Sequence, residues 1–210
     1  MKKDIELISF NLKKDKWVYI VILGILYFLV FPFFIYKIMD FVYLNYDLKS
    51  SIFEMLQKIL FVIMIILEYF MSQKTIQSNM RELNCILNHR PKWYFLYLVC
   101  ILFHIITLPI YIYISINNVY MIDIILVLMF QSVVLTSIFY STLVVSKMSI
   151  VSFGIMICYI LIFTNIENPL SLFIMTNGVN LIGVDYYLKW TVVLVSCLII
   201  GRSNEKNLNN

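Results

Sequence analysis

WYFLYLVCILFHIITLPIYIYI, the run from Trp93 to Ile114, holds no Asp, Glu, Lys or Arg. It matches the ~20 predominantly apolar residues that carry an α-helix across the hydrocarbon layer of a bilayer. In that solvent every backbone N–H and C=O must be paired internally, so a continuous segment of this length spans as a helix. Five further stretches read the same way: Trp17 to Tyr36, Ile52 to Met71, Val119 to Val145, Met148 to Phe163 and Tyr186 to Ile200. The last two are short and need residues from their flanks, or a thinned bilayer, to cross.

The reading is an all-α polytopic membrane protein with six transmembrane helices. The first apolar run is too long for a signal-peptide core and has no A-x-A-like cleavage site, so no cleaved signal is expected. Basic residues set the orientation. With the N-terminus inside, Lys2, Lys3, Lys13, Lys14, Lys16, Lys74, Arg81, Arg90, Lys92, Lys147, Arg202 and Lys206 face the cytoplasm. Only Lys37, Lys49, Lys58 and Lys189 then lie outside. This asymmetry puts both termini in the cytoplasm of a cell-membrane protein. The net charge of +4 reflects that bias; no basic stripe on a soluble domain calls for nucleic acid.

Alanine is absent from the chain, while Ile, Leu, Phe, Tyr, Asn and Lys abound, a composition that suggests an AT-rich genome such as that of a low-GC Gram-positive bacterium. Close helix contacts must then fall to Gly and Ser. In the fourth stretch Ser132 with Thr136, Ser137 with Ser141, and Thr142 with Ser146 are spaced for one helix face, and packing on the fifth stretch across a tight turn at Lys147 is expected.

Several chemistries have no sequence support. Cys85, Cys100, Cys158 and Cys197 form no C-x-x-C pair, and thiols in or on the inner side of the membrane stay reduced. His89 and His104 are not spaced as metal ligands on one helix face, so no metal site is expected. There is no G-x-x-x-x-G-K-[ST] loop, and the five glycines stand alone; the chain is expected to bind no cofactor and hydrolyse no ATP itself.

The segments between spans are more informative. Residues 1–16 put Ile5, Ile8 and Leu12 near one helical face and read as an amphipathic helix lying in the interface, or as a polybasic topology anchor. Residues 73–89 place Ile76, Met80, Leu83 and Leu87 at helical spacing, with Gln77, Arg81, Asn84 and Asn88 on the polar side and Pro91 closing the segment. Such a stripe either inserts into a groove on a partner or packs under the protein's own helices. Residues 165–185 are apolar but interrupted by Pro169, Asn177, Gly178, Asn180 and Gly183, which reads as a re-entrant pair of short helices shielded by protein. The 17–203 stretch forms the transmembrane domain, and 204–210 a cytoplasmic tail.

This layout resembles the permease subunit of the ABC type-2 exporter class. Locally, Glu68 near the inner end of the second stretch, then Glu82-Leu83, Leu87 and Pro91, are similar to that family's acidic residue, leucine-bearing helix and proline before span three. Met80 to Leu83 lacks the family's Gly-Thr, and Val99 and Cys100 stand where it often has a Lys. The resemblance implies a homo- or heterodimer with a second permease subunit. It implies a coupling helix, here Ile76, Met80, Arg81, Glu82, Leu83, Asn84, Leu87 and His89, docked in a separate ATP-binding subunit that holds ATP and Mg. It also implies an exported peptide, such as a bacteriocin or amphipathic toxin, as cargo.

Inside the spans, His104 and Thr107 beside Pro109, and Gln131 with Ser132, are candidates for a translocation pathway or for helix-to-helix hydrogen bonds. Glu54 with Lys58, and Asp185 with Lys189, are spaced to steady helix entries. Two other classes remain open. A substrate-capturing subunit of an energy-coupling-factor importer also has about six spans, but its Ala-rich docking motif cannot exist here. An intramembrane peptidase would need a nucleophile and base, for which Cys85 with His89 is the sequence-adjacent pair.

Overall fold

The computed structural model describes residues 16–43, 48–76, 92–117, 122–165 and 183–209, and among them only helices occur. The chain enters as α1, Lys16–Gly24, continues through a π-helical turn, Ile25–Val30, and leaves as α2, Phe31–Tyr43. The π turn has a local cause. Pro32 brings no N–H, and the N–H of Phe31 reaches back to the Leu26 carbonyl, the wider i to i−5 pattern. Then come α3, Leu48–Ile76; α4, Lys92–Asn117; α5, Ile122–Ser146; α6, Ser149–Asn165; and α7, Val184–Asn209.

Among the described residues, five segments are long and apolar enough to cross a membrane: Lys16–Ile38, Ile52–Gln73, Trp93–Ile116, Ile122–Ser146 and Val184–Glu205. The protein is therefore an all-helical chain compatible with a multi-pass membrane protein. The sixth apolar helix, α6, has 17 residues and is roughly 25 Å long at 1.5 Å per residue, short of a ~30 Å hydrocarbon layer. The final helix departs from expectation in the other direction. Its apolar run ends near Ile200, yet α7 continues to Asn209, so the segment read as a tail from 204 is helical through that residue. Two contacts hold it there: Asn204 donates to the Ile200 carbonyl, and Glu205 is buried against Tyr140.

Residues 77–91 lie outside the described residues, and with them Met80, Arg81, Glu82, Leu83, Asn84, Leu87 and His89; Ile76 closes α3. The interfacial segment before Lys16 and residues 166–182 of the re-entrant stretch fall outside them too.

Helix α5 is the axis of the bundle. It packs on α3, α4, α6 and α7, most extensively on α7 rather than on its sequence neighbour α6. Gly201 explains that preference. A Cβ built there would lie 2.2 Å from Cε1 of Tyr140, so only glycine lets α7 approach the buried ring. The turn from α5 to α6 is sharp, with Lys147 at φ 58°. Its N–H returns to the Leu143 carbonyl, and the Ser146 hydroxyl accepts from the Met148 N–H, which satisfies backbone groups that the helix end leaves free. Pro109 sits inside α4. Its missing N–H frees the Ile105 carbonyl, and at the neighbouring Ile106 the Tyr27 hydroxyl donates to the carbonyl oxygen, tying the π-turn segment to α4.

Candidate functional site: a polar seam inside the bundle

A hydrocarbon-soluble bundle can close with apolar side chains alone, but the centre of this one is polar. Along α5, Gln131, Ser132, Thr136, Ser137 and Ser141 are all buried. Their spacing at three to five residues keeps them on the side of α5 that faces other helices, while Leu126 and Val145 are exposed. Each is met by a polar group from another helix or by a carbonyl of α5 itself.

At one end of the seam three helices share one amide. The Gln57 Nε2 of α3 donates to Oε1 of Gln131 at 3.1 Å, and Nε2 of Gln131 donates to the Tyr186 hydroxyl of α7 at 2.7 Å. One residue on, His104 of α4 contacts Ser132, with Nε2 and Oγ 2.6 Å apart, while its Nδ1 lies 3.2 Å from the Tyr111 hydroxyl.

Donor counting leaves two proton arrangements here. With the single Ser132 hydrogen on the Met129 carbonyl at 2.6 Å, His104 Nε2–H donates to Ser132 and Nδ1 accepts from Tyr111; with it on Nε2, the roles at the imidazole reverse. The Cys100 thiol adds a donor to Ser132 Oγ at 3.6 Å. This direction matters chemically. A serine beside a histidine resembles a nucleophile and its base, and a base must present a lone pair to the hydroxyl, which Nε2 does only in the second arrangement.

Further along, the Thr136 hydroxyl lies 2.5 Å from Oε1 of Glu68 and 2.9 Å from the Ser132 carbonyl. The Tyr97 hydroxyl and Ser137 Oγ are 2.6 Å apart. Beyond them Tyr140 donates to Oε2 of Glu205 at 2.5 Å. Among the described residues, the buried side-chain oxygens and nitrogens without a hydrogen-bond partner are Oε2 of Glu68 and Nε1 of Trp190.

Of the four residues marked as a possible pathway, the structure brings His104 and Ser132 into direct contact and sets Gln131 beside them. The Thr107 hydroxyl lies against the Phe103 and His104 carbonyls of its own helix and meets the Tyr111 hydroxyl that contacts His104. Other participants were not marked at all, among them Gln57, Tyr186 and Tyr97. Gln57 and Tyr186 lie near the ends of their apolar stretches, where polar residues attract no notice, and Tyr97 is one of 15 tyrosines. The seam is closed in this structure. An adjacent cavity of about 320 Å³ between α1, α3 and α4 is lined by Tyr19, Leu26, Ile63, Leu67 and Phe103 among others, and none of the seam's side chains reaches it.

The outlying pairs resolve simply. Lys58 and Glu54 form the expected i to i+4 ion pair at 2.6 Å on the surface of α3, a contact worth only about 0.3–0.5 kcal/mol. The Lys189 ammonium lies over the Trp190 ring, 5.5 Å from its centroid. Cys100, Cys158 and Cys197 are free thiols, and among the described residues no cluster of His, Cys, Asp and Glu could hold a metal ion. Comparison of the chain with protein-family models, with curated proteins and with solved structures found no match.

Proposed function

We propose that this chain is the transmembrane permease subunit of an ATP-driven exporter of the ABC type-2 class, crossing the cell membrane six times with both termini in the cytoplasm and exporting amphipathic peptides. The observation that carries the reading is the polar seam of Gln57, Gln131, Tyr186, His104 and Ser132. A static anchor needs no polar interior, whereas helices that part and rejoin around a cargo need side chains that can exchange one hydrogen-bond partner for another. The layout of spans and loops in the sequence supports the same class. In this reading α6 completes the sixth crossing with help from its flanks, and the segment from Ile76 to His89 docks in the ATP-binding subunit that holds ATP and Mg. A second permease subunit, identical or not, completes the pathway.

The experiment is a pull-down of the ATP-binding subunit at matched membrane levels of wild type, Leu83→Asp and Gln77→Asp. Leu83→Asp inserts normally, since it lies outside every span, and loses at least ten-fold in ATPase association, because an unpaired charge in an apolar groove costs several kcal/mol. Gln77→Asp loses much less. Undiminished binding with Leu83→Asp removes the coupling helix and with it the exporter reading. Orientation is tested separately: a membrane-impermeant thiol reagent labels Cys85 in inverted vesicles and not in intact cells. External labelling that disappears in Cys85→Ser would reverse the topology.

A further inference from the structure

Glu68 is an ionisable group deep in the bundle. It is fully buried on α3, five residues before Gln73 at the end of the crossing segment, or about 7.5 Å along the axis. Carboxyls at such depth are rare and face a partner or a cavity. Among the described residues no cation faces it. From α4 the phenol of Tyr97 and the thiol of Cys100 face it, and from α5 the hydroxyl of Thr136. Helix α6 contains no charged residue, and Lys37 of α2 lies over the Tyr36 ring instead. The ion pair of α3 itself, Glu54 with Lys58, is at the surface some three turns away.

The hydrogen count around Thr136 bears on what Glu68 carries. Thr136 Oγ1 is within hydrogen-bond reach of two acceptors, Oε1 of Glu68 at 2.5 Å and the Ser132 carbonyl at 2.9 Å, but a threonine hydroxyl has one hydrogen. If Glu68 were a carboxylate, a full negative charge would have the shared Thr136 hydrogen as its one hydrogen-bond donor among the described residues, and Oε2 would have none. If Glu68 holds a hydrogen on Oε1, both contacts close. The acid O–H donates to Thr136 Oγ1, and Thr136 donates to the Ser132 carbonyl. Oε2 is then a neutral carbonyl oxygen, whose burial without a partner costs about 1–3 kcal/mol, against much more for an unpaired anion.

We propose that Glu68 and Thr136 form a single-proton binding site in the seam between α3 and α5, with the proton taken from water and held between Oε1 of Glu68 and Oγ1 of Thr136. Binding the proton neutralises the seam and permits it to close. Parting α3 from α5 admits water to Oε2, and the carboxyl then returns the proton to that water, so opening of the seam and proton release are one event. This holds whichever cargo or energy source the protein uses.

Infrared difference spectroscopy on the full-length protein in phosphatidylcholine vesicles at pH 7 tests it. Glu68→Gln keeps the shape and a donor for Thr136, so wild type minus variant isolates one carboxyl. The expected spectrum contains the carbonyl stretch of a protonated carboxylic acid and no loss of carboxylate bands. In Thr136→Val, which keeps the volume but cannot accept from the acid, that stretch moves to higher frequency. Carboxylate bands in the Glu68→Gln difference at pH 7 would overturn the proposal. So would an acid stretch that Thr136→Val leaves unmoved, a test that stands even if Glu68→Gln fails to fold.

Discussion

Helix α5 and the Lys16–Ile38 segment are close to each other in hydropathy, 2.2 against 2.7, yet 56% of the first is buried within the protein and 17% of the second. The more apolar helix is the less buried one. In water the opposite ordering holds, because burial there is driven by removing apolar surface from the solvent. In a bilayer the surroundings are as apolar as a leucine, so Phe28 can be 82% exposed at no cost. Helices meet instead where a small residue permits close approach or a polar one needs a partner. The comparison teaches that polar and small residues, and not hydropathy, locate the centre of this molecule.

The sharpest way to break that contrast is at Gly201. Gly201→Ala puts a methyl into the Tyr140 ring, which is buried and anchored to Glu205, so neither partner yields freely. We expect a loss of about 1–3 kcal/mol in stability, the usual cost of overpacking, read as a lowered unfolding midpoint in detergent. A stability equal to wild type would mean that α7 does not need this approach.

Next in size is Gln131→Leu, which raises hydropathy while deleting the amide shared with Gln57 and Tyr186. Interhelical hydrogen bonds in membranes contribute on average about 0.6 and at most about 1.7 kcal/mol, so two of them predict a loss of roughly 1–2 kcal/mol. If the more apolar variant were the more stable one, hydropathy would govern this interior after all.

The smallest effect is expected for Phe28→Leu on the lipid-facing side of the first segment. It exchanges one apolar surface for another, and its midpoint should lie within about 0.5 kcal/mol of wild type. A large loss at Phe28 would show that this face is covered by another protein surface in the membrane.

Legibility varied with how local the determining physics is. The helices themselves, the short α6 and the turn at Lys147 could be read from the chain, since length, apolar continuity and helix breakers act within a few residues of one another. The buried hydroxyls of α5 were legible as small-residue pairs, but their principal helix partner was not. The sequence pointed to neighbouring α6, which does pack on α5, but the most extensive partner is α7, because Gly201, more than fifty residues on, supplies the close approach. The extent of α7 was missed for a related reason: Arg202 to Asn209 is polar enough to read as a tail, and Glu205 is retained in the bundle by a tyrosine sixty-five residues earlier.

What the sequence determined by itself is the class of solvent and the class of element. A chain that is 62% hydrophobic, arranged in runs of membrane length, has helices as its available spanning structure. Only the tertiary structure decided which polar atoms meet. His104 reads as a packing residue or a pathway residue until Ser132 and Tyr111 are found on its two nitrogens, and Glu68 is an acid near a helix end with no visible partner until Thr136 is found against it. The physical reason is that a hydrogen bond depends on angles and distances between residues far apart in the chain, whereas transfer of a helix into hydrocarbon depends on its own composition.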